Sequence, residues 1–203
     1  MTDGGRMTEL RADLALVADL IPAGSRVLDL GCGSGDLLAH LMTTKHCRGT
    51  GVEIDPGGVL AAIRQGVPTI ELNLDTQLGQ FRDSSYDVVV LSRTLQAVHR
   101  PGVVLNEMTR IAPRLVVSMP NFGFWRHRLR LVGGHMPRSK DLPFDWHDTP
   151  NLHHATLIDL EAFFASQRLQ VERRIVLDEE GRPRPGRGAN LLAGSAIYVL
   201  GRA

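Results

Sequence analysis

The chain has 203 residues, of which 43% are apolar and 22% charged, and its formal net charge is +1. These values are typical of an ordinary globular protein, and we expect a single domain over residues 1–203. Two cysteines, Cys32 and Cys47, are too few for a disulfide framework. The small net charge argues against a nucleic-acid-binding protein, and no apolar run reaches membrane-spanning length.

The charges are unevenly distributed along the chain. Residues 1–92 contain 7 Lys/Arg and 12 Asp/Glu, a balance of −5, whereas residues 93–203 contain 16 against 10, a balance of +6. The basic later portion could face an acidic substrate or partner, although solvated surface charge is the commoner explanation. Acidic residues near the start (Asp3, Glu9 and Asp13) do not fit a signal peptide, so we expect a cytoplasmic location.

Apolar periodicity predicts strands and helices in alternation, which indicates a mostly parallel sheet with helices on both faces. The predicted strands lie at 27–30, 49–53, 69–72, 86–91, 115–119, 169–177 and 195–200, and the predicted helices at 9–21, 36–42, 56–64, 101–111 and 156–166. The strand at 86–91 is the most apolar and should be central. The stretch 181–188 is predicted to be an exposed loop in which Arg187 and its neighbours could meet an anion. A solvated linker is the commoner role of such a stretch.

Three glycines at alternate positions, Gly31, Gly33 and Gly35, follow the first predicted strand and precede a helix. Glycine allows a positive φ and lets a ligand approach the backbone, so this turn is typical of a nucleotide-type site. Glu53 ends the next strand, 22 residues beyond Gly31, where a carboxylate can accept hydrogen bonds from ribose hydroxyls. A flexible glycine loop without a ligand is the plainer alternative.

The stretch Val-Leu-Asp-Leu-Gly-Cys-Gly-Ser-Gly, residues 27–35, resembles motif I of the class I S-adenosylmethionine (SAM) methyltransferases. The spacing is G-x-G-x-G rather than the dinucleotide pattern G-x-G-x-x-G, and Glu53 disfavours NADP. The resemblance implies a Rossmann-like α/β fold with a seven-stranded, mostly parallel sheet and an antiparallel last strand. An NAD-dependent enzyme is a weaker alternative.

Four later segments make the resemblance more specific. They are Leu91-Ser92-Arg93-Thr94-Leu95-Gln96-Ala97-Val98, Met119-Pro120-Asn121-Phe122-Gly123, Met136-Pro137-Arg138-Ser139-Lys140 with Leu142-Pro143, and Trp146-His147-Asp148-Thr149-Pro150-Asn151. Together they resemble the family of methionine biosynthesis protein MetW over nearly the whole chain. That resemblance implies an association with homoserine O-acyltransferase.

The resemblance also implies a binding site for SAM or S-adenosylhomocysteine (SAH). The glycines would line the methionine and ribose end of the cofactor, Asp29 would orient its amino group and Glu53 would hold the ribose. Asn73 stands where many relatives have an acidic residue that contacts adenine. The implied cofactor-binding residues are Asp29, Gly31, Cys32, Gly33, Gly35, Glu53, Ile54, Asn73, Leu74 and Ser92.

Residues 120–155 interrupt the alternation and are expected to form an irregular insertion or lid. Its aromatic residues and arginines (Phe122, Phe124, Trp125, Arg126, Arg128 and Arg130) could form a substrate site, a partner surface or a lid helix packed into the core. Six histidines are candidate bases, with no sequence partner to single one out: His99, His127, His135, His147, His153 and His154. His147, His153 and His154 with Asp145 and Asp148 match no recognised zinc spacing, and no metal site is expected.

Two functions therefore remain open. The first is a SAM-binding partner or activator of homoserine O-acyltransferase. The second is an active methyltransferase that acts on a small, anionic acceptor.

Overall fold

A computed structural model describes residues 10–203. Eight strands form one sheet: β1 (Arg26–Leu30), β2 (Arg48–Glu53), β3 (Thr69–Glu71), β4 (Val88–Ser92), β5 (Arg114–Pro120), β6 (Leu169–Leu177), β7 (Pro183–Arg184) and β8 (Ser195–Arg202). The helices are α1 (Ala12–Asp19), α2 (Asp36–Thr44), α3 (Pro56–Arg64), α4 (Pro101–Ile111), α5 (Trp125–Val132), α6 (Leu157–Ser166) and α7 (Ala189–Leu192). The predicted start of the first helix, at residue 9, lies outside the described residues.

The strand order is β3-β2-β1-β4-β5-β8-β6-β7. Pairs from β3 to β5 are parallel, and β8 is antiparallel to both β5 and β6. The predicted α/β sheet with an antiparallel last strand is therefore confirmed, and β4 lies inside it, between β1 and β5. Because β1 and β4 are neighbours, the chain reverses its direction of travel across the sheet between them, which leaves a crevice at their carboxyl ends.

The predicted number of strands, seven, is wrong by one. Pro183 and Arg184 pair with Leu177 and Val176 of β6, so a two-residue strand lies within the predicted loop 181–188. A strand of two residues is too short to show a period, and its arginines and prolines are typical of loops.

The two faces of the sheet bury separate apolar clusters. Alternate residues of β4 divide between them, since Val88 and Val90 pack with α1, α2 and α3, whereas Val89 and Leu91 pack with α4 and α6. This alternation follows from the two-residue period of a strand and explains why β4 is apolar throughout.

Two predicted helix starts are confirmed in detail. Asp55 accepts a hydrogen bond from the Gly58 N–H at 2.8 Å, just before Pro56 begins α3. Thr156 and Asp159 form a reciprocal capping box at the start of α6. Between β5 and α6 the chain contains α5, and then no helix or strand over residues 133–156.

Candidate functional site

A cavity of about 270 Å³ lies at the carboxyl ends of β1, β2 and β4, beside β3. Its walls combine apolar and polar side chains: Gly31, Val52, Glu53, Ile54, Leu72, Asn73, Leu74, Asp75, Arg93, Thr94, Ala97 and Val98. The position, at the reversal between β1 and β4, is where open α/β sheets bind ligands. Five of the sequence-predicted residues line it: Gly31, Glu53, Ile54, Asn73 and Leu74.

Gly31 ends β1 in a conformation that a residue with a side chain rarely adopts, with φ of +75°. The N–H groups of Gly31 and Cys32 donate to the Val52 carbonyl at 2.8 and 3.0 Å, which fixes the turn against β2. A Cβ on Gly31 would overlap the side chain of Thr94. Both the turn and the close approach of Thr94 therefore require glycine at this position.

The other members of the turn lie away from the cavity walls. A Cβ on Gly35 would lie 3.0 Å from the Ala62 Cβ, so Gly35 permits close packing against α3. The Cys32 thiol lies against Gly51 of β2, and burial beside Asp29 and Glu53 raises its pKa to about 12. These contacts give Gly35 and Cys32 packing roles; a cofactor contact through them stays a prediction.

Glu53 joins the glycine turn to the end of β2. Its Oε2 accepts from the Gly33 N–H at 2.8 Å, and its Oε1 accepts from the N–H groups of Ile54 and Asp55 at 2.8 and 3.0 Å. A carboxylate has about four acceptor positions, so capacity remains for hydroxyl donors. The backbone therefore holds this carboxylate in place at the wall of the cavity.

Asp29 is a buried carboxyl group on β1, next to the turn. Its Oδ1 atom has no hydrogen-bond partner among residues 10–203. Burial, and secondarily the nearby charge of Glu53, raises its pKa to about 7. A buried acceptor without a donor is costly, so this atom fits a donor group brought by a ligand, directly or through water.

The loop after β3 forms a third wall. Asn73 Oδ1 accepts from the Asp75 N–H at 2.8 Å, which turns the chain back toward the cavity. Asp75 is in turn held by the N–H groups of His99 and Arg100 at 3.1 and 2.8 Å, and these hydrogen bonds lower its pKa against the effect of partial burial. Asp75 is thus anchored beside the position predicted to meet adenine.

Arg93 is a lining residue that the sequence did not single out. It follows β4 with a positive φ of +53°, and its N–H donates to the Ser118 carbonyl at 3.0 Å. Its guanidinium pairs with two buried carboxylates, Asp13 of α1 at 3.0 Å and Asp141 of the insertion at 2.6 Å. Arg93 thereby connects the cavity wall, the first helix and the insertion. In the sequence, Arg93 stands out only as a member of the segment 91–98, which contributes to the family resemblance.

Ser92 lies behind the cavity rather than on its wall. Its hydroxyl is 3.0 Å from that of Ser118 on β5, and its carbonyl accepts from the Thr94 hydroxyl at 3.0 Å. The latter bond orients Thr94 over Gly31. The prediction that Ser92 itself contacts the cofactor remains untested.

Of residues 10–203, no histidine lines the cavity. His99 contacts Asp75 at the rim, whereas His127 is fully buried with no partner for either ring nitrogen among the described residues. Burial lowers the pKa of His127 and of His154, which stacks on Phe122. Within residues 10–203 no cluster of three or more His, Cys, Asp or Glu side chains could hold a metal ion.

The predicted aromatic and basic face is divided by the structure. Phe124 is buried, but Trp125 is exposed on α5, with the Arg126 guanidinium 5.6 Å from its ring centre. Arg128 donates to the Gly123 carbonyl at 2.7 Å, and Arg126 pairs with Glu179 at 2.7 Å. The face therefore points partly to solvent, and no member of it lines the described cavity.

Comparison with known proteins identifies the family. The model of the family described as methionine biosynthesis protein MetW matches residues 11–200. The chain belongs to the MetW family. The bifunctional methionine biosynthesis protein MetXA/MetW of Rhodopirellula baltica is 34% identical over 95% of this chain. The present chain spans about a third of that relative's length, 33%.

Solved structures show the fold of this MetW family member. A SAM-dependent methyltransferase from Archaeoglobus fulgidus has a TM-score of 0.70 at 13% identity, covering 95% of this chain and 92% of that one. Magnesium protoporphyrin IX methyltransferase from Synechocystis PCC 6803, solved with bound SAH, has a TM-score of 0.64 at 18% identity, covering 94% and 80%. The class I methyltransferase fold predicted from motif I is therefore confirmed. No helix within residues 10–203 is long and apolar enough to cross a membrane.

Proposed function

We propose that this chain is a SAM-binding, methyltransferase-fold protein of methionine biosynthesis that acts as partner and activator of homoserine O-acyltransferase. The observation that carries the proposal is the Rhodopirellula baltica relative, in which MetXA and MetW are named together in one polypeptide. We take MetXA to be the acyltransferase that the family resemblance implies. The cytoplasmic location stays a prediction.

The cavity supports SAM or SAH as the ligand. Asp29 supplies a buried acceptor without a donor, and Glu53 supplies a fixed carboxylate with remaining acceptor capacity. Gly31 allows Thr94 to approach the turn closely at the cavity wall, and Leu72, Leu74 and Val98 provide apolar walls for a base. In this arrangement Asp29 would face the amino group, Glu53 the ribose and Asn73 the adenine edge.

The hydrogen bonds and ion pairs that hold the charged groups of the cavity favour a binding role over a catalytic one. Among residues 10–203, the charged side chains that line it are Glu53, Asp75 and Arg93. Each is already engaged: Glu53 by backbone N–H groups, Asp75 by His99 and Arg100, and Arg93 by two buried carboxylates. These groups are therefore held as anchors in the cavity wall, and the capacity that Glu53 keeps for hydroxyl donors suits ligand binding.

The proposal is tested by co-expressing the chain with the acyltransferase of the same organism. We expect the two proteins to purify together, and acyl transfer to be faster with the chain than without it. Adding SAM or SAH tests whether the cofactor is an effector. An effector must change the affinity of the chain for the acyltransferase, and the acyltransferase must change the affinity of the chain for the effector by the same factor. Absence of a complex together with an unchanged rate would refute the proposal.

Methyl transfer to a small anionic acceptor is a second candidate function. It is favoured by the cavity that Gly31 lines and by the arginines of the insertion. Direct displacement at a sulfonium requires mainly that donor and acceptor be held in line. Labelled methyl transfer into cell extract tests it, with Gly33→Arg as the control. Label that persists in that variant comes from another enzyme.

A further inference from the structure

The insertion presents an apolar surface that no described residue covers. Leu129 and Val132 of α5 are 60% and 87% exposed, and Trp146 of the following loop is 72% exposed. We use the term α5 face for the exposed side chains of Trp125, Leu129 and Val132 with the arginines beside them. Solvent-facing apolar clusters of this kind, rimmed by polar residues, typically mark interaction sites.

The α5 face is regular and firmly held. Its three apolar residues are spaced by four and three positions, so they lie along one side of the helix. The other side buries His127, and the buried Phe124 precedes it. The chain before α5 is anchored where the Phe122 N–H donates to the Ala155 carbonyl at 3.0 Å. Trp125 and Leu129 are therefore exposed within a hydrogen-bonded helix, and Val132 lies on its last turn.

The charge around the face is positive. Helix α5 contains three arginines and no acidic residue. A groove of about 590 Å³ beside it is lined by Trp125 and Leu129 together with four cations and two carboxylates: Arg126, Arg130, Arg138, Lys140, Glu179 and Glu180. Glu179 pairs with Arg126 at 2.7 Å and Glu180 with Lys140 at 3.6 Å. Arg138 pairs with Asp145 at 3.0 Å, so among the described residues Arg130 is the lining cation without a carboxylate partner, and it favours a partner that brings a carboxylate to an apolar contact.

Two observations identify the occupant. The Rhodopirellula baltica relative is named for MetXA and MetW together, and the match covers 33% of its length, which leaves room for a second protein in the same polypeptide. Joining two proteins in one polypeptide raises their effective concentration, as expected for proteins that bind one another. A second copy of this chain is disfavoured, because an isologous contact through α5 would place arginines against arginines.

We propose that the α5 face is the docking surface for homoserine O-acyltransferase, and that the acyltransferase contributes an apolar patch rimmed by carboxylates. The inference rests on the proposed function and names the surface through which that function operates. Tryptophan and arginine dominate the binding energy of many interfaces, and here they lie together on one helix turn. Leu129 and Val132 continue the contact along the helix.

The test compares two variants of the full chain. Leu129→Asp combined with Val132→Asp places two charges in the apolar stripe. Leu60→Asp is the matched control, because Leu60 is an exposed helical leucine, 48% exposed, on α3. Helix α3 packs on β2 and β3 at one edge of the sheet, whereas Glu179, beside α5, follows β6 near the other edge. The wild type and both variants should bind SAH with the same affinity, and this equality shows that the variants are folded.

We expect the double variant to bind the purified acyltransferase at least about tenfold more weakly in calorimetry, and Leu60→Asp to bind like the wild type. Arg130→Glu should also weaken binding, and should reduce its dependence on salt. Equal binding by the wild type and the double variant would overturn the α5 face while leaving the partnership intact. Failure of the wild type itself to bind would instead refute the proposed function. Self-association that the double variant alone abolishes, with acyltransferase binding retained, would assign the face to a second copy.

Discussion

Gly31 and Gly24 adopt the same backbone conformation in different surroundings. Their φ values are +75° and +74°, but a Cβ on Gly24 meets no atom within 4 Å, whereas one on Gly31 overlaps Thr94. Replacing either by alanine should lower the free energy of unfolding by about 1–2 kcal/mol through left-handed strain, and Gly31→Ala should lower it further because its Cβ overlaps Thr94. Only Gly31→Ala should also lose SAH binding, because its Cβ would displace Thr94, which lines the cavity.

Urea unfolding and calorimetric titration with SAH measure the two effects separately. Gly24→Ala is the control for backbone strain alone. Equal SAH affinities in the two variants would mean that Gly31 does not border the ligand.

The buried carboxyl of Asp29 predicts how ligand binding depends on pH. Its pKa is raised to about 7 by burial and by Glu53, so much of it is protonated below neutrality in the free protein. A ligand amino group bears a positive charge and binds the ionised form, so binding must release the proton. SAH affinity should therefore fall as the pH drops below about 7, by up to about tenfold per unit.

Calorimetry between pH 5.5 and 8.5 gives this profile. The Asp29→Asn variant should bind more weakly at pH 8 and show a flatter dependence, since the titrating group is gone. A profile for this variant that is as steep as that of the wild type would assign the dependence to another group.

At the scale of elements, one guanidinium ties three parts of the chain together. Arg93 follows β4 and pairs with Asp13 of α1 and Asp141 of the insertion, both of which are buried. Removing the cation leaves the buried Asp141 without its counter-charge, and leaves Asp13 paired with Arg11 alone. We expect Arg93→Met to lower the free energy of unfolding by about 3–5 kcal/mol.

Arg138→Met is the matched control, because the pair between Arg138 and Asp145 lies on the surface of the same insertion. Exposed pairs contribute little, so this variant should unfold close to the wild-type urea midpoint. Similar urea midpoints for the two variants would show that the ion pairs of Arg93 do not hold the insertion in place.

At the scale of the whole molecule, the cavity draws on four parallel strands and the loops after them. A ligand bound there should stabilise the folded state as a unit. At about 100 times its dissociation constant, SAH should add about 2.7 kcal/mol, which raises Tm by about 5–10 °C for a chain of this size. NAD at the same concentration should have no effect, and a comparable rise with NAD would contradict the assignment of the cavity.

The sequence was sufficient for the architecture because the relevant signals are local. The continuous apolar run of β4 and the helix starts near residues 56 and 156 depend on near neighbours, and each is found close to the predicted position. The turn at Gly31 and the carboxylate of Glu53 were likewise recognisable from spacing. Strand β7 escaped prediction because its two residues are ordered by pairing with β6 and have no period of their own.

Only the tertiary structure decided which of these residues share a site and which support it. Gly35 and Cys32 belong to the same motif as Gly31, yet they pack against α3 and β2, since their directions depend on the path of the turn. The role of Arg93 depends on carboxylates 80 residues before it and 48 after it, a separation that no local pattern encodes. Whether Trp125 is buried or exposed likewise follows from which side of α5 faces inward, and the structure buries His127 instead. Sequence determines local backbone preference and apolar pattern, whereas burial and pairing across the chain are set by packing.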